Sequence, residues 1–235
     1  MRRFKSVIII GKEEENMSYN IAIDGPAGAG KSTIAKAVAQ KLRVIYVDTG
    51  AMYRAMALFM LREGVDPADG DAVSAKCREA DITIAYEGDV QVVYLNGENV
   101  NPYLRTEEVG NMASATSVQP AVREKLVELQ RALAAKSDCV MDGRDIGTCV
   151  LPDAQVKIFL TASSEVRAKR RCDELAAKGV SCDPQKIKED IEERDYRDMN
   201  REHSPLRVAE DAIFVDSSYM TVEEVIAHIL QLCER

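Results

Sequence analysis

The sequence predicts an α/β fold in which a parallel sheet of five strands is layered between helices and interrupted by a small antiparallel insertion. Three observations predict it. Asn20–Asp24 and Val44–Asp48 are short apolar segments, each followed by a stretch with helical spacing. Asp81–Val100 then changes to strict alternation. The first rhythm resumes at Asp138–Asp142 and runs to the C-terminus.

Taken in order, Lys31–Leu42 places Ile34, Ala35, Val38, Ala39 and Leu42 on one helical face, and Ala51–Arg62 does the same with Met52, Ala55, Met56 and Phe59. Within 81–100, Ile82, Ile84 and Tyr86, then Val90, Val92 and Tyr94, alternate with polar residues. Glu87-Gly88-Asp89 and Asn96-Gly97 supply the turns of a meander. Asn101–Lys136 reads as mostly helical. Val156–Leu160 is a buried strand, Ser163–Lys178 a helix with Ser or Thr near its start, and Asp183–Asn200 a charged helix. Ala212–Asp216 is the last strand and Thr221–Cys233 the closing amphipathic helix. One domain is expected over 17–235. Residues 1–16 are expected to be an extension outside it: Val7–Ile10 is too short for a signal-peptide core, no small-residue cleavage site follows, and Met17 opens the segment like a start.

The 235 residues are 46% hydrophobic and 30% charged, ordinary for a globular enzyme, and the net charge is −8. A general nucleic-acid binder carries a basic field, so nucleic acid is excluded as the main partner. No apolar run approaches the roughly 20 residues that span a bilayer, so no membrane partner is expected. Cys77, Cys139, Cys149, Cys172, Cys182 and Cys233 form no CxxC pair and have no histidine at metal-like spacing. They read as free thiols of a cytoplasmic protein, and a monomer is expected.

Gly25-Pro26-Ala27-Gly28-Ala29-Gly30-Lys31-Ser32 matches G-x-x-x-x-G-K-[ST] between an apolar strand and an amphipathic helix. Glycines let backbone N–H groups wrap phosphates, and the helix N-terminus faces them with its positive end. Lys31 would reach the β- and γ-phosphates and Ser32 would ligate Mg²⁺. With Thr33, these residues form the expected ATP contacts of a P-loop NTPase fold. The chain lacks the Asn-Lys-x-Asp of a switch GTPase. The strand at Cys139–Met141 ends in Asp142-Gly143-Arg144 rather than the Asp-Glu of a helicase-type ATPase. Transfer to a small acceptor is the better reading.

A kinase joining two phosphorylated substrates must gather negative charge, and arginine binds phosphate through two parallel N–H groups. Arg54 and Arg144 lie just after strands, where ligands bind in α/β folds. Arg105 opens a helix, Arg167, Arg170 and Arg171 share one, and Arg194, Arg197 and Arg201 recur on one face of another. Surface salt bridges with nearby acids are the competing reading for the arginines of 163–201. These residues alone leave open an adenylate- or shikimate-type kinase, or a nucleotide-binding regulatory protein that has lost transfer.

Together the motifs resemble bacterial cytidylate kinases. The pieces that carry this are Gly25–Ser32, Asp48-Thr49-Gly50-Ala51-Met52-Tyr53-Arg54, Leu104-Arg105-Thr106-Glu107, Asp142-Gly143-Arg144-Asp145-Ile146-Gly147-Thr148, Lys157–Leu160 with Ala162-Ser163, and the Arg194–Arg201 run. The resemblance covers nearly the whole chain from about Asn20. It implies an acceptor-monophosphate region at about 50–137 that includes the three-stranded insert, and a short helical lid at about 163–201. It further implies transfer of the γ-phosphoryl group of ATP to CMP or dCMP, with Mg²⁺. By resemblance, Lys31, Arg144, Arg194 and Arg201 would carry catalysis, and Arg54, Arg105, Arg144 and Arg201 would hold the acceptor phosphate or the transferring group. Ser114, Arg123 and Asp145 would read the cytosine, and Arg194 and Asp198 would meet the pentose. Thr49 stands where the family often has Ser and keeps the hydroxyl. Arg167, Arg170 and Arg171 fit the lid helix over ATP. No general base is required, because the acceptor phosphate is already an anion. His203 and His228 read as surface residues, and Asp142 as a holder of Mg²⁺-bound water or a strand-end residue.

Overall fold

The computed structural model describes residues 18–177 and 179–234. The extension expected at residues 1–16 lies outside them. Five strands, β1 (Asn20–Asp24), β2 (Ile45–Asp48), β6 (Cys139–Gly143), β7 (Val156–Thr161) and β8 (Ile213–Asp216), form one parallel sheet in the order β2-β6-β1-β7-β8. The glycine-rich loop leaves β1, the central strand.

Side-chain alternation divides the core between the two faces of this sheet. Ile21, Ile23, Val140, Ile158 and Leu160 face α1 (Lys31–Leu42) and α8 (Val222–Cys233), meeting Ile34, Val38 and Ile229. Ala22 and Met141 face the other way, toward α2 (Thr49–Arg62) and α5 (Pro120–Ala134), with Met52, Met56 and Leu126. Asp48 caps α2 by accepting from the Ala51 N–H at 2.9 Å. Gly25 has φ +149, and a Cβ there would lie 1.9 Å from the Leu160 carbonyl oxygen, so only glycine lets the loop leave β1 this way.

The meander is β3 (Ile82–Glu87), β4 (Val90–Leu95) and β5 (Glu98–Asn99), all antiparallel. Asn96 and Gly97 both have positive φ in the β4–β5 turn. Gln91 fastens this sheet to the end of β2: the Asp48 N–H donates to its Oε1 at 2.9 Å, and its Nε2 donates to the Asp48 carbonyl at 3.1 Å. Between α2 and β3 stands α3 (Gly70–Lys76), which the apolar pattern does not announce; Asp69 caps it. The helical region before β6 resolves into α4 (Glu107–Thr116) and α5.

After β6 the chain makes a single π-helical turn over Ile146–Val150. Beyond β7, α6 (Ser164–Ala177) and α7 (Pro184–Asn200) pack against each other. Asp183 caps α7, accepting from the Gln185 N–H at 2.9 Å, with Pro184 in the first turn. One expectation fails here. Cys172 and Cys182 are disulfide-bonded, with Cα atoms 5.7 Å apart, and only Cys77, Cys139, Cys149 and Cys233 are free. The chain turns back between α6 and α7, so residues ten apart meet, and no short Cys spacing signals it. No helix among the described residues is long and apolar enough to cross a membrane.

Candidate active site

A cavity of about 660 Å³ opens at the carboxyl ends of β1, β2 and β6. In a chain of net charge −8, it gathers eight cationic side chains (Lys31, Arg54, Arg105, Arg123, Arg144, Arg170, Arg194 and Arg201) against five carboxylates (Asp48, Asp142, Asp145, Glu174 and Asp198). Buried cations at this density repel one another. Burial, then Arg144, lowers the Arg194 guanidinium to about 10. Burial, then Arg105, lowers Arg54, and burial, then Arg123, lowers Arg201. Such a site gains most from a polyanion.

At one end lies the phosphate loop. Lys31 is 5% exposed and donates to the Pro26 carbonyl at 2.7 Å. Burial, then Arg144, holds its ammonium well below the usual lysine range. The Ser32 hydroxyl donates to Asp142 Oδ2 at 2.8 Å, and the Tyr46 hydroxyl donates to Asp142 Oδ1 at 2.9 Å. Burial, then Asp48, pushes the Asp142 carboxyl up to about 6. Asp142 is therefore bonded to two side-chain hydroxyls.

In the middle, Arg144 Nε donates to Asp198 at 2.9 Å, and Arg105 Nη2 to Asp48 at 2.6 Å. Burial works to raise the Asp198 carboxyl, but Arg144 and the other nearby guanidiniums hold it below the usual range. Arg194 Nε and Arg201 Nη2 are buried without a hydrogen-bond partner among the described residues. Arg201 Nη2 lies 3.6 Å from Asp145, within ion-pair reach but too far for a hydrogen bond.

Elsewhere in the cavity wall Arg123 and Asp145, each 5% exposed, form a hydrogen-bonded ion pair. The Arg123 guanidinium also sits 5.7 Å from the Tyr53 ring centre. Ser114 and Ser117 line the same cavity. The Tyr53 hydroxyl and Gln130 Nε2 are buried there, again without a partner among the described residues.

Most of the residues singled out from sequence thus meet in one cavity, but not all point into it. The Thr49 hydroxyl donates to the Asp142 carbonyl at 2.6 Å although the residue lines the wall. Arg167 is buried behind the loop, donating to the carbonyls of Ala27 (2.8 Å) and Ala162 (2.9 Å) and pairing with Asp195 (2.6 Å). Gly25 and Pro26 shape the loop without lining the cavity. Arg170 lines it, while Arg171 is exposed and pairs with Glu174 at 3.1 Å. His203 and His228 are exposed.

Sequence reasoning missed Tyr46, Tyr53, Ser117 and Gln130. Gln130 carried a readable signal: it continues the buried face of Val122, Leu126 and Val127 as its one amide. Tyr46 and Tyr53 carried none, since an aromatic beside a strand end reads as core.

The sequence profile of the family described as "Cytidylate kinase" matches residues 21–235. A relative named "Cytidylate kinase" from Listeria innocua is 51% identical over 216 residues, 92% of this chain and 96% of its own. One of the same name from Caldicellulosiruptor bescii is 50% identical over 213 residues, 91% of this chain and 94% of its own. A third, from Lactobacillus johnsonii, is 48% identical over 224 residues, 95% of this chain and 97% of its own.

Proposed function

This chain belongs to the cytidylate kinase family, and from that premise we propose how the cavity beside the phosphate loop serves two substrates. The enzyme transfers the γ-phosphoryl group of ATP to CMP or dCMP, giving CDP or dCDP and ADP. In our reading Gly25–Thr33 hold the triphosphate, with Lys31 leaving the Pro26 carbonyl to meet the β- and γ-phosphates. Arg54, Arg105, Arg144 and Arg201 hold the acceptor phosphate and neutralise the moving group. Arg194 and Asp198 meet the pentose.

The residues present fit Mg²⁺. Ser32 and Asp142 offer hard oxygen donors 2.8 Å apart beside the phosphate loop. Among the described residues no cluster of three or more His, Cys, Asp or Glu forms a protein cage, which suits an ion held mainly by phosphates and water. Bound there, the ion would neutralise charge on the β- and γ-oxygens.

An oxygen of the acceptor phosphate attacks the γ-phosphorus and the β–γ bridging oxygen leaves with ADP. The nucleophile is already anionic, so no side chain need take a proton. What the chain supplies is alignment and fixed positive charge. We read α6 and α7 as the lid over ATP. Its arginines take different parts: Arg170 faces the cavity, Arg167 braces the loop from behind, and Arg171 stays outside.

The single observation that carries base recognition is the buried Arg123–Asp145 pair in the wall of the cavity. Cytosine offers an N4 donor and N3 and O2 acceptors, which a carboxylate, an arginine and a hydroxyl can match. Uracil presents an O4 acceptor and an N3–H donor instead, leaving buried groups unpaired. Isothermal binding of CMP, UMP and ATP to Asp145→Ala tests this. The preference for CMP over UMP is expected to collapse by about tenfold or more while ATP affinity stays within about twofold. Equal losses for CMP and ATP would remove Asp145 as the base reader.

A further inference from the structure

We propose that Asp24, the last residue of β1, is a positioning residue for acceptor recognition. It holds the turn that presents Asp145 to the base, and through the backbone it ties that turn to the start of the phosphate loop. This rests on the reading of Asp145 as a base reader.

Asp24 is 5% exposed and pairs in register with Gly143, the last residue of β6. Both carboxylate oxygens serve the turn that follows. The Ile146 N–H donates to Oδ1 and the Gly147 N–H to Oδ2, each at 2.7 Å. These are consecutive amides at the start of the π-helical turn, immediately after Asp145. The turn packs closely at 147: a Cβ there would lie 3.2 Å from Lys157 Cδ, tight enough that the lysine chain would have to shift by a few tenths of an ångström, and in contact with Asp24 Oδ2 at 3.4 Å. Asp145 itself has φ −147 and ψ 27, outside the regular helical and strand regions, so its orientation depends on what fixes the residues after it. Asp24 supplies two charge-assisted bonds there, the strong kind. Gly25, next along the chain, is the first residue of the phosphate loop. One carboxylate thus stands between the site of the donor and the reader of the acceptor, touching neither substrate.

Steady-state kinetics on Asp24→Asn and Gly147→Ala test this, with Asp145→Ala as control. An asparagine can accept only one of the two amides and turns an NH₂ toward the other. The expected signature is a KM for CMP raised about tenfold, a CMP-over-UMP preference reduced by a similar factor, and a KM for ATP within about twofold. Gly147→Ala crowds Lys157 against the same turn without altering the chain beside Gly25, and should give the same split in smaller measure. It decides the matter if Asp24→Asn does not fold.

A loss shared equally by CMP and ATP, with discrimination intact, would make Asp24 a support of the phosphate loop and overturn the inference. An unchanged preference in both variants, when Asp145→Ala abolishes it, would overturn the inference alone. An unchanged preference in Asp145→Ala would overturn the base-reading assignment, and the inference with it.

Discussion

Arg123 and Asp145 are a charge pair almost wholly removed from water, and such a pair is costly to break from one side. Truncating Arg123 leaves Asp145 buried with Arg201, 3.6 Å away, as its remaining cation. Arg123→Ala is therefore expected to lower the unfolding free energy by about 3 kcal/mol, the low end for an orphaned buried charge because Arg201 compensates in part. The double variant Arg123→Ala/Asp145→Ala should lose less than the single one. Urea unfolding of Arg123→Ala, Asp145→Ala and the double variant checks it, and a double variant that loses the sum of the two single effects would contradict the coupling. The motif around Arg144-Asp145 was readable because arginines at strand ends have few structural reasons to be there. Gln130 and Tyr53 were not read, because their unpaired polar atoms become visible only when α2 and α5 close over the cavity.

Helices and strands were legible where their apolar period was long. α1 runs over the expected residues, and the Asn96-Gly97 turn falls where the alternation breaks. The π-helical turn was not legible, since it owes its form to Asp24, more than 120 residues earlier in the chain. Nor was the Cys172–Cys182 bond, which depends on how α6 and α7 meet rather than on spacing. That bond ties α6 to the segment leading into α7, the part read here as the lid. Thiol titration of the protein unfolded without reductant should find four free thiols per chain, rising to six after reduction. Six thiols in both conditions would show that the bond does not form. Reduction is also expected to lower stability by at most about 2–3 kcal/mol, because the loop it closes is short.

The whole molecule concentrates positive charge in one cavity and buries carboxylates beneath it, and this sets its response to pH. Burial pushes the carboxyls of Asp24 and Asp142 up to about 6, partly opposed at Asp24 by the Gly147 and Ile146 amides. Between about pH 4 and pH 6 the folded chain therefore holds protons that the unfolded chain has released. Stability contributed by these groups falls as pH rises through that window and levels off above it. The change is about 2–3 kcal/mol for each. Asp198, whose carboxyl is held low, acts in the opposite sense and only at more acid pH. Denaturant midpoints of the ligand-free protein should decline from pH 5 to pH 7, and Asp142→Asn should flatten that slope by about half. Lys31, held well below the usual lysine range, acts in the opposite sense in both proteins, so the contradicting result is a pH slope that Asp142→Asn leaves unchanged. A parallel sheet of five strands was legible from its βα rhythm, the order of the strands within it was not; the net negative charge, by contrast, gave no hint of so cationic a cavity, because arginines scattered from 54 to 201 converge only in the fold.

The most direct test of the account is ADP release from Mg-ATP measured with CMP, dCMP, UMP and AMP in turn. Turnover concentrated on CMP and dCMP, with slow ATP hydrolysis when no acceptor is present, is the expected result. Comparable turnover with UMP or AMP would contradict the base-reading role proposed for Arg123 and Asp145, and rapid hydrolysis without acceptor would contradict the proposed closure over the bound pair.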